Sequence, residues 1–255
     1  MTSRKKRKVE SLFGPVLPKK KVTYNENITR FVISMNNDLG EMRRESLNYD
    51  YTHFEGVESK NAPPYISEKM KNRSNISIMT KNGKVGAWAA HISLLEKIVS
   101  DRVDNALILE DDCFQVRNFN VRELGEEPIY VNGLFHHPTN YSKRTADWVK
   151  KTHEELKPTT GINVLDRSKI RIVGMWGIFI PKWQQALEIA EKLKNQRKFT
   201  TVDSQISNLR LINRFFYPPL FRHDDFKQSN ITKGGYGEAE YWSKRDVKTL
   251  MKSNN

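Results

Sequence analysis

Between residues 83 and 112 the sequence narrows the possible folds more than anywhere else. Trp88, Ile92, Leu95 and Val99 recur at helical spacing, so one apolar face runs along a helix that opens near Gly83 to Gly86. Asp104-Asn105 interrupts that pattern. Ala106-Leu107-Ile108-Leu109 follows as an unbroken apolar run, as expected of a strand covered on both faces. The run ends directly in Glu110-Asp111-Asp112. A helix, a buried strand and three carboxylates in succession predict an α/β domain whose chemistry sits at a strand end.

The rest of the chain fits that expectation. Arg30 to Met35 reads as a buried strand, Leu39 to Leu47 as a helix and Tyr51 to Phe54 as a second strand. Residues 56–82 are polar, contain a Pro-Pro pair and read as a loop with little core. Pro128 to Leu134 and Ile170 to Ile180 read as strands, with a long, partly helical excursion over 136–168 between them. Pro181 to Leu193 reads as a helix with proline in its first turn, and Arg214 to Tyr217 as a last short strand. Alternating strands and helices, several strands apolar throughout, predict an open, mostly parallel sheet with helices on both faces. In such a sheet the ligand lies beyond the carboxyl ends of the strands. That is where the acidic cluster falls.

The domain is expected over residues 25–232, between a basic tail (1–24) and a C-terminal tail with a short helix (233–255). The net charge of +13 is partly local, because Arg4 to Lys8 and Lys19 to Lys21 hold eight cations. The run over residues 4–9 resembles a nuclear localisation signal and also suits a solvated arm that holds nucleic acid or another polyanion weakly. Cys113 is the one cysteine of 255 residues, so an internal disulfide and a cysteine zinc site are excluded. No apolar stretch approaches the roughly 20 residues of a membrane span, and no secretory signal is visible. These features lead us to expect an intracellular protein, cytoplasmic or nuclear and not secreted.

Three adjacent carboxylates repel one another and call for a cation or strong donors. Strand alternation puts Glu110 and Asp112 on one side and Asp111 on the other. Two carboxylates so placed suit Mg²⁺ or Mn²⁺, which also bridge to phosphate oxygens. The competing reading is a helix start with acidic residues in its first turn.

The segment from Gly83 to Ile98, followed by Ala106 to Asp112, resembles glycosyltransferase family 25. That family pairs a glycine-led helix, bearing Ser-His-like and Trp-Glu-Lys-like positions, with a strand running into Glu-Asp-Asp. Here Ala90-His91 and Leu95-Glu96-Lys97 stand at those positions. Phe31 to Met35 with Arg43-Arg44 resembles the family's opening strand, although Asn36-Asn37 replaces its usual Leu-Asp. Val173 to Ile180, Thr201-Val202-Asp203, Tyr217 to Leu220 and Gln228 to Ile231 are similar to its later segments, so the likeness spans roughly residues 30–231. The resemblance implies a GT-A-type domain. It also implies inverting transfer from a nucleotide-diphosphate sugar, often UDP-galactose, to a hydroxyl acceptor. Galactose or glucose is the sugar expected.

On that resemblance Asp112 and Glu110 are the expected metal ligands. Glu110, Asp111, Arg44 and Asn36 are the expected donor contacts. Asp203 is either the catalytic base or a helix cap, and His223 either completes the metal site or lies on the surface. His91 is expected to support the carboxylates from the helix. Arg43 and Arg44 either meet the diphosphate or form exposed pairs with Glu41 and Glu45. Trp88 and Trp176 read as core. The alternative function is a basic nucleic-acid-binding protein that keeps an inactive transferase-like domain. A different metal-dependent phosphate enzyme would use the same carboxylates.

Overall fold

The structure, a computed structural model, describes residues 27–70, 78–132, 135–136, 154–166, 171–172 and 177–223. The apolar run at residue 30 forms β1 (Thr29–Ser34), and Asn37 caps α1 (Asp38–Glu45) by accepting from the Gly40 amide at 2.9 Å. Next come β2 (Thr52–Glu55), α2 (Pro64–Met70), α3 (Ile78–Ser100) and β3 (Ala106–Glu110). Short strands β4 (Cys113–Gln115), β5 (Ile129–Tyr130), β6 (Phe135–His136), β7 (Gly161–Val164) and β8 (Arg171–Ile172) follow. The described chain closes with β9 (Gly177–Ile180), α4 (Trp183–Lys194), α5 (Val202–Asn208), β10 (Arg214–Tyr217) and β11 (Phe221–His223).

The main sheet has seven strands in the order β2-β1-β3-β9-β5-β10-β7. β2, β1, β3, β5 and β10 run one way; β9 and β7 run against them. The expected α/β sheet of mostly parallel strands is therefore present, but as a mixed sheet with β9 reversed at its centre. Every residue of β9 is buried and so are Ala106 to Leu109 in β3. Because successive side chains point to opposite faces, both faces of the centre are covered. β4 and β11 form a separate ribbon, as do β6 and β8.

The described residues of the 56–82 stretch depart from the loop expected there. Pro64 takes a first-turn position, where its missing N–H costs nothing, and Ile66 and Met70 bury one turn apart. α3 starts at Ile78, so Gly83 and Gly86 lie inside it. At Gly86 the helix passes so close to the next segment that an added Cβ would collide with the Val57 carbonyl oxygen. Gly86→Ala is expected to lower the free energy of unfolding by about 1–3 kcal/mol, read from the urea midpoint. A neutral result would mean that the 56–62 segment moves freely against the helix.

Within the Ile170 to Ile180 run, β8 and β9 fall on the described residues, and the helix after Pro181 is α4. Among the described residues no helix is long and apolar enough to cross a membrane. The basic run over 4–9, Trp176, the Gln228 to Ile231 segment and the C-terminal tail lie outside the described residues.

Candidate active site

β1 and β3 are parallel neighbours, with Ile33 in register with Glu110. The chain leaves β1 towards β2 on one side and returns through α3 to β3 on the other. The crevice between their carboxyl ends is thus a topological switch point, the usual ligand position in such sheets. Glu110, Asp111 and Asp112 occupy its rim.

The three carboxylates have different surroundings. Glu110 keeps 35% of its side chain exposed, and its Oε1 lies 3.5 Å from His91 Nε2 on α3. His91 itself is buried. Asp111 turns the other way: its Oδ2 accepts from Ser34 Oγ at 2.7 Å, and its Oδ1 from Arg43 Nη1 at 3.0 Å. Burial raises the Asp111 carboxyl above its ordinary value; the Asp112 charge adds to the rise, and Ser34 and Arg43 oppose it. Asp112 is buried beside it. Glu110 and Asp111 diverge as alternation predicts, whereas Asp112, expected on the side of Glu110, lies close enough for its charge to act on Asp111.

Arg43 and Arg44 engage this end of the sheet as well. Arg44 Nη1 donates to Ser34 Oγ at 2.8 Å and to the Met35 carbonyl at 2.9 Å. A chain of hydrogen bonds therefore runs from Arg44 through Ser34 to Asp111. Asn36 is exposed in the turn between β1 and α1.

The largest contribution that sequence reading could not supply is the ribbon of β4 and β11. It puts His223 opposite Cys113, the residue after Asp112. The pairing joins positions 110 residues apart in the chain. β4 is also held from its other side. Asn48 donates to the Gln115 carbonyl at 2.8 Å and accepts its amide at 3.0 Å, while Tyr49 Oη donates to the Cys113 carbonyl at 2.8 Å. Burial pushes the Tyr49 phenol well above its ordinary value, with the neighbouring Cys113 and Asp112 adding to the rise. Asn48 and Tyr49 carry no local signal of this work, since an asparagine and a tyrosine after a helix suit any turn.

Asp203 stands in the first turn of α5, where its Oδ1 accepts from the Ser204 amide at 2.7 Å. Its helix is moored by Trp88 Nε1, which donates to the Thr200 carbonyl at 2.6 Å. Trp88 lies three residues before His91 on α3, so the mooring is about one turn from the Glu110 contact. Trp88 is fully buried and stacks on Phe199 at 4.0 Å between ring centroids, which makes it core as expected.

Another residue at this edge escaped sequence reading. Asn132, just past β5, is 0% exposed, and neither Nδ2 nor Oδ1 has a hydrogen-bond partner. A buried polar group left unpaired costs about 1–3 kcal/mol. Among the described residues no three His, Cys, Asp or Glu side chains close into a metal cage.

Comparison with curated proteins gives no match. The sequence profile of the family described as "Glycosyltransferase family 25 (LPS biosynthesis protein)" matches residues 27–161. That span contains Asn36, Arg44, His91 and the whole acidic cluster, and ends before Asp203 and His223. It covers more than half of the chain and includes the helix, strand and carboxylates from which the fold was first read: the chain belongs to glycosyltransferase family 25.

Proposed function

We propose that the chain transfers a hexose, galactose or glucose, from a UDP-sugar to a hydroxyl acceptor with inversion at the anomeric carbon. The observation that supports this reading is the position of Glu110, Asp111 and Asp112 at the carboxyl end of β3 beside β1, with β11 pairing His223 opposite Cys113. In this reading Asn36 and Arg44 line the donor side, and Asp111 acts by fixing Arg43 and Ser34 around the crevice. His91 keeps Glu110 in place. Asp203 takes the proton of the acceptor hydroxyl as its oxygen bonds to the anomeric carbon and the bond to the diphosphate breaks.

The donor set fits a hard divalent cation, Mn²⁺ or Mg²⁺. Two carboxylates and an imidazole are suitable ligands, and Glu110 keeps 35% of its side chain exposed at the sheet edge. Such ions are commonly held by one or two carboxylates together with substrate phosphates, so an all-protein cage is not required. When bound, the ion would supply charge neutralisation for the departing diphosphate.

A thermal-shift screen of UDP-, GDP- and other nucleotide sugars, with and without Mn²⁺, tests the reading. A donor at a hundred times its dissociation constant should stabilise the chain by about 2.7 kcal/mol. Asp112→Asn is expected to remove the Mn²⁺-dependent part of that shift and to lower transfer or donor hydrolysis by roughly a hundredfold. If no nucleotide sugar stabilises the intact chain, or plain nucleoside triphosphates do so equally well, the reading is wrong.

A further inference from the structure

The unpartnered amide of Asn132 is placed with the acidic cluster by strand register. Leu109 of β3 pairs with Gly177 of β9, and the Val131 amide donates to the Gly177 carbonyl at 3.0 Å. Leu109, Gly177 and Val131 therefore lie on one line across three neighbouring strands. β3 and β5 run the same way, so the next residue along each, Glu110 and Asn132, stands at the same level of the carboxyl edge. Two strand spacings, about 10 Å, separate their backbones.

The sheet is built to admit this side chain. A Cβ added at Gly177 would sit 3.1 Å from Val131 Cγ2 and 3.2 Å from both Asn132 Cβ and Asn132 N. The absence of a side chain at 177 leaves Asn132 its room. An amide so placed, fully buried and bonded to nothing, calls for a partner, and a group entering the crevice would satisfy it. It offers a donor and an acceptor side by side, and a sugar hydroxyl, which both donates and accepts, matches that pair. The separation from Glu110 is about that expected between a diphosphate and the far side of the sugar it carries.

We propose that Asn132 grips a hydroxyl of the transferred sugar, its Nδ2 donating and its Oδ1 accepting. This rests on the donor reading above and adds the residue that recognises the sugar itself.

The test compares the full chain with Asn132→Leu, which keeps the shape and removes both polar atoms, and with Asn132→Ala. Calorimetric titrations with UDP, UDP-galactose and UDP-glucose in Mn²⁺ are paired with melting curves. The expected result is an unchanged or raised melting temperature, UDP affinity within about twofold of wild type, and at least about a tenfold loss for the UDP-sugar that wild type binds. If wild type binds a UDP-sugar and both variants bind it as well, this assignment fails while the donor reading stands. If both variants melt early and lose UDP and UDP-sugar in parallel, Asn132 is structural and the assignment again fails. If wild type binds no nucleotide sugar, the donor reading falls and takes the assignment with it.

Discussion

Arg43→Ala is expected to cost about 3–5 kcal/mol of stability, because it leaves the Asp111 carboxylate buried without its cation. For a chain of this size that corresponds to a fall in melting temperature of about 6–20 °C. The loss should also depend on pH in a definite sense. The Asp111 carboxyl in the folded chain already lies above its ordinary value, and removing the guanidinium removes an influence that lowers it. The folded variant then holds the proton more tightly than the unfolded chain does. Stability must therefore fall as pH rises from the ordinary carboxylate range through the raised folded value, so the variant's deficit is larger at neutral pH than in mildly acid buffer. Pairing Arg43→Met with Asp111→Asn should restore most of the loss, since the penalty comes from the orphaned charge. A single variant that melts within a degree or two of wild type would show that the pair does not hold β1 to the acidic cluster.

Trp88→Ala is expected to cost a similar 3–5 kcal/mol, from a large buried ring removed from a close-packed site. It should also disturb function, because the same indole moors the segment that enters α5 and carries Asp203. Phe199 would lose its stacking partner, while Lys69 lies 4.9 Å over the Phe199 ring from α2 and its carbonyl accepts the Phe199 amide. Trp88→Phe separates the two roles: an aromatic face is kept and the bond to Thr200 is lost. Its melting point should fall by much less than that of the alanine variant, while, if Asp203 is the base proposed above, glycosyl transfer falls further than stability alone explains. Equal activity of Trp88→Phe and wild type would mean that α5 is positioned by other contacts.

The sequence displayed the helix, the buried strand and the acidic cluster because each is written in a short window. Helical spacing from Trp88 to Val99 and four consecutive apolar residues require no knowledge of distant partners. The divergence of Glu110 and Asp111 was legible for the same reason, since alternation is a local property. The reversal of β9 was not, because a strand buried on both faces has the same composition in either direction. α2 was hidden by a polar setting in which Ile66 and Met70 are the buried apolar anchors. The pairing of Ser34 and Arg43 with Asp111, the grip of Asn48 and Tyr49 on β4, and the isolation of Asn132 depend on residues brought together from far apart. An asparagine at the end of a short strand looks the same whether its amide is bonded or empty.

The ribbon of β4 and β11 also sets an order in time. β4 directly follows the acidic cluster, yet its strand partner is made 110 residues later. At the usual pace of synthesis, about 5–20 residues per second, a growing chain carries Glu110-Asp111-Asp112 for roughly 5 to 20 seconds before Phe221–His223 exists to pair beside it. The first half can assemble the rim of the crevice on the ribosome, but the wall next to Asp112 arrives among the last described residues. A nascent chain interrupted before that point would present the carboxylates without the strand that flanks them, and the site would be assembled only once the second half has been translated.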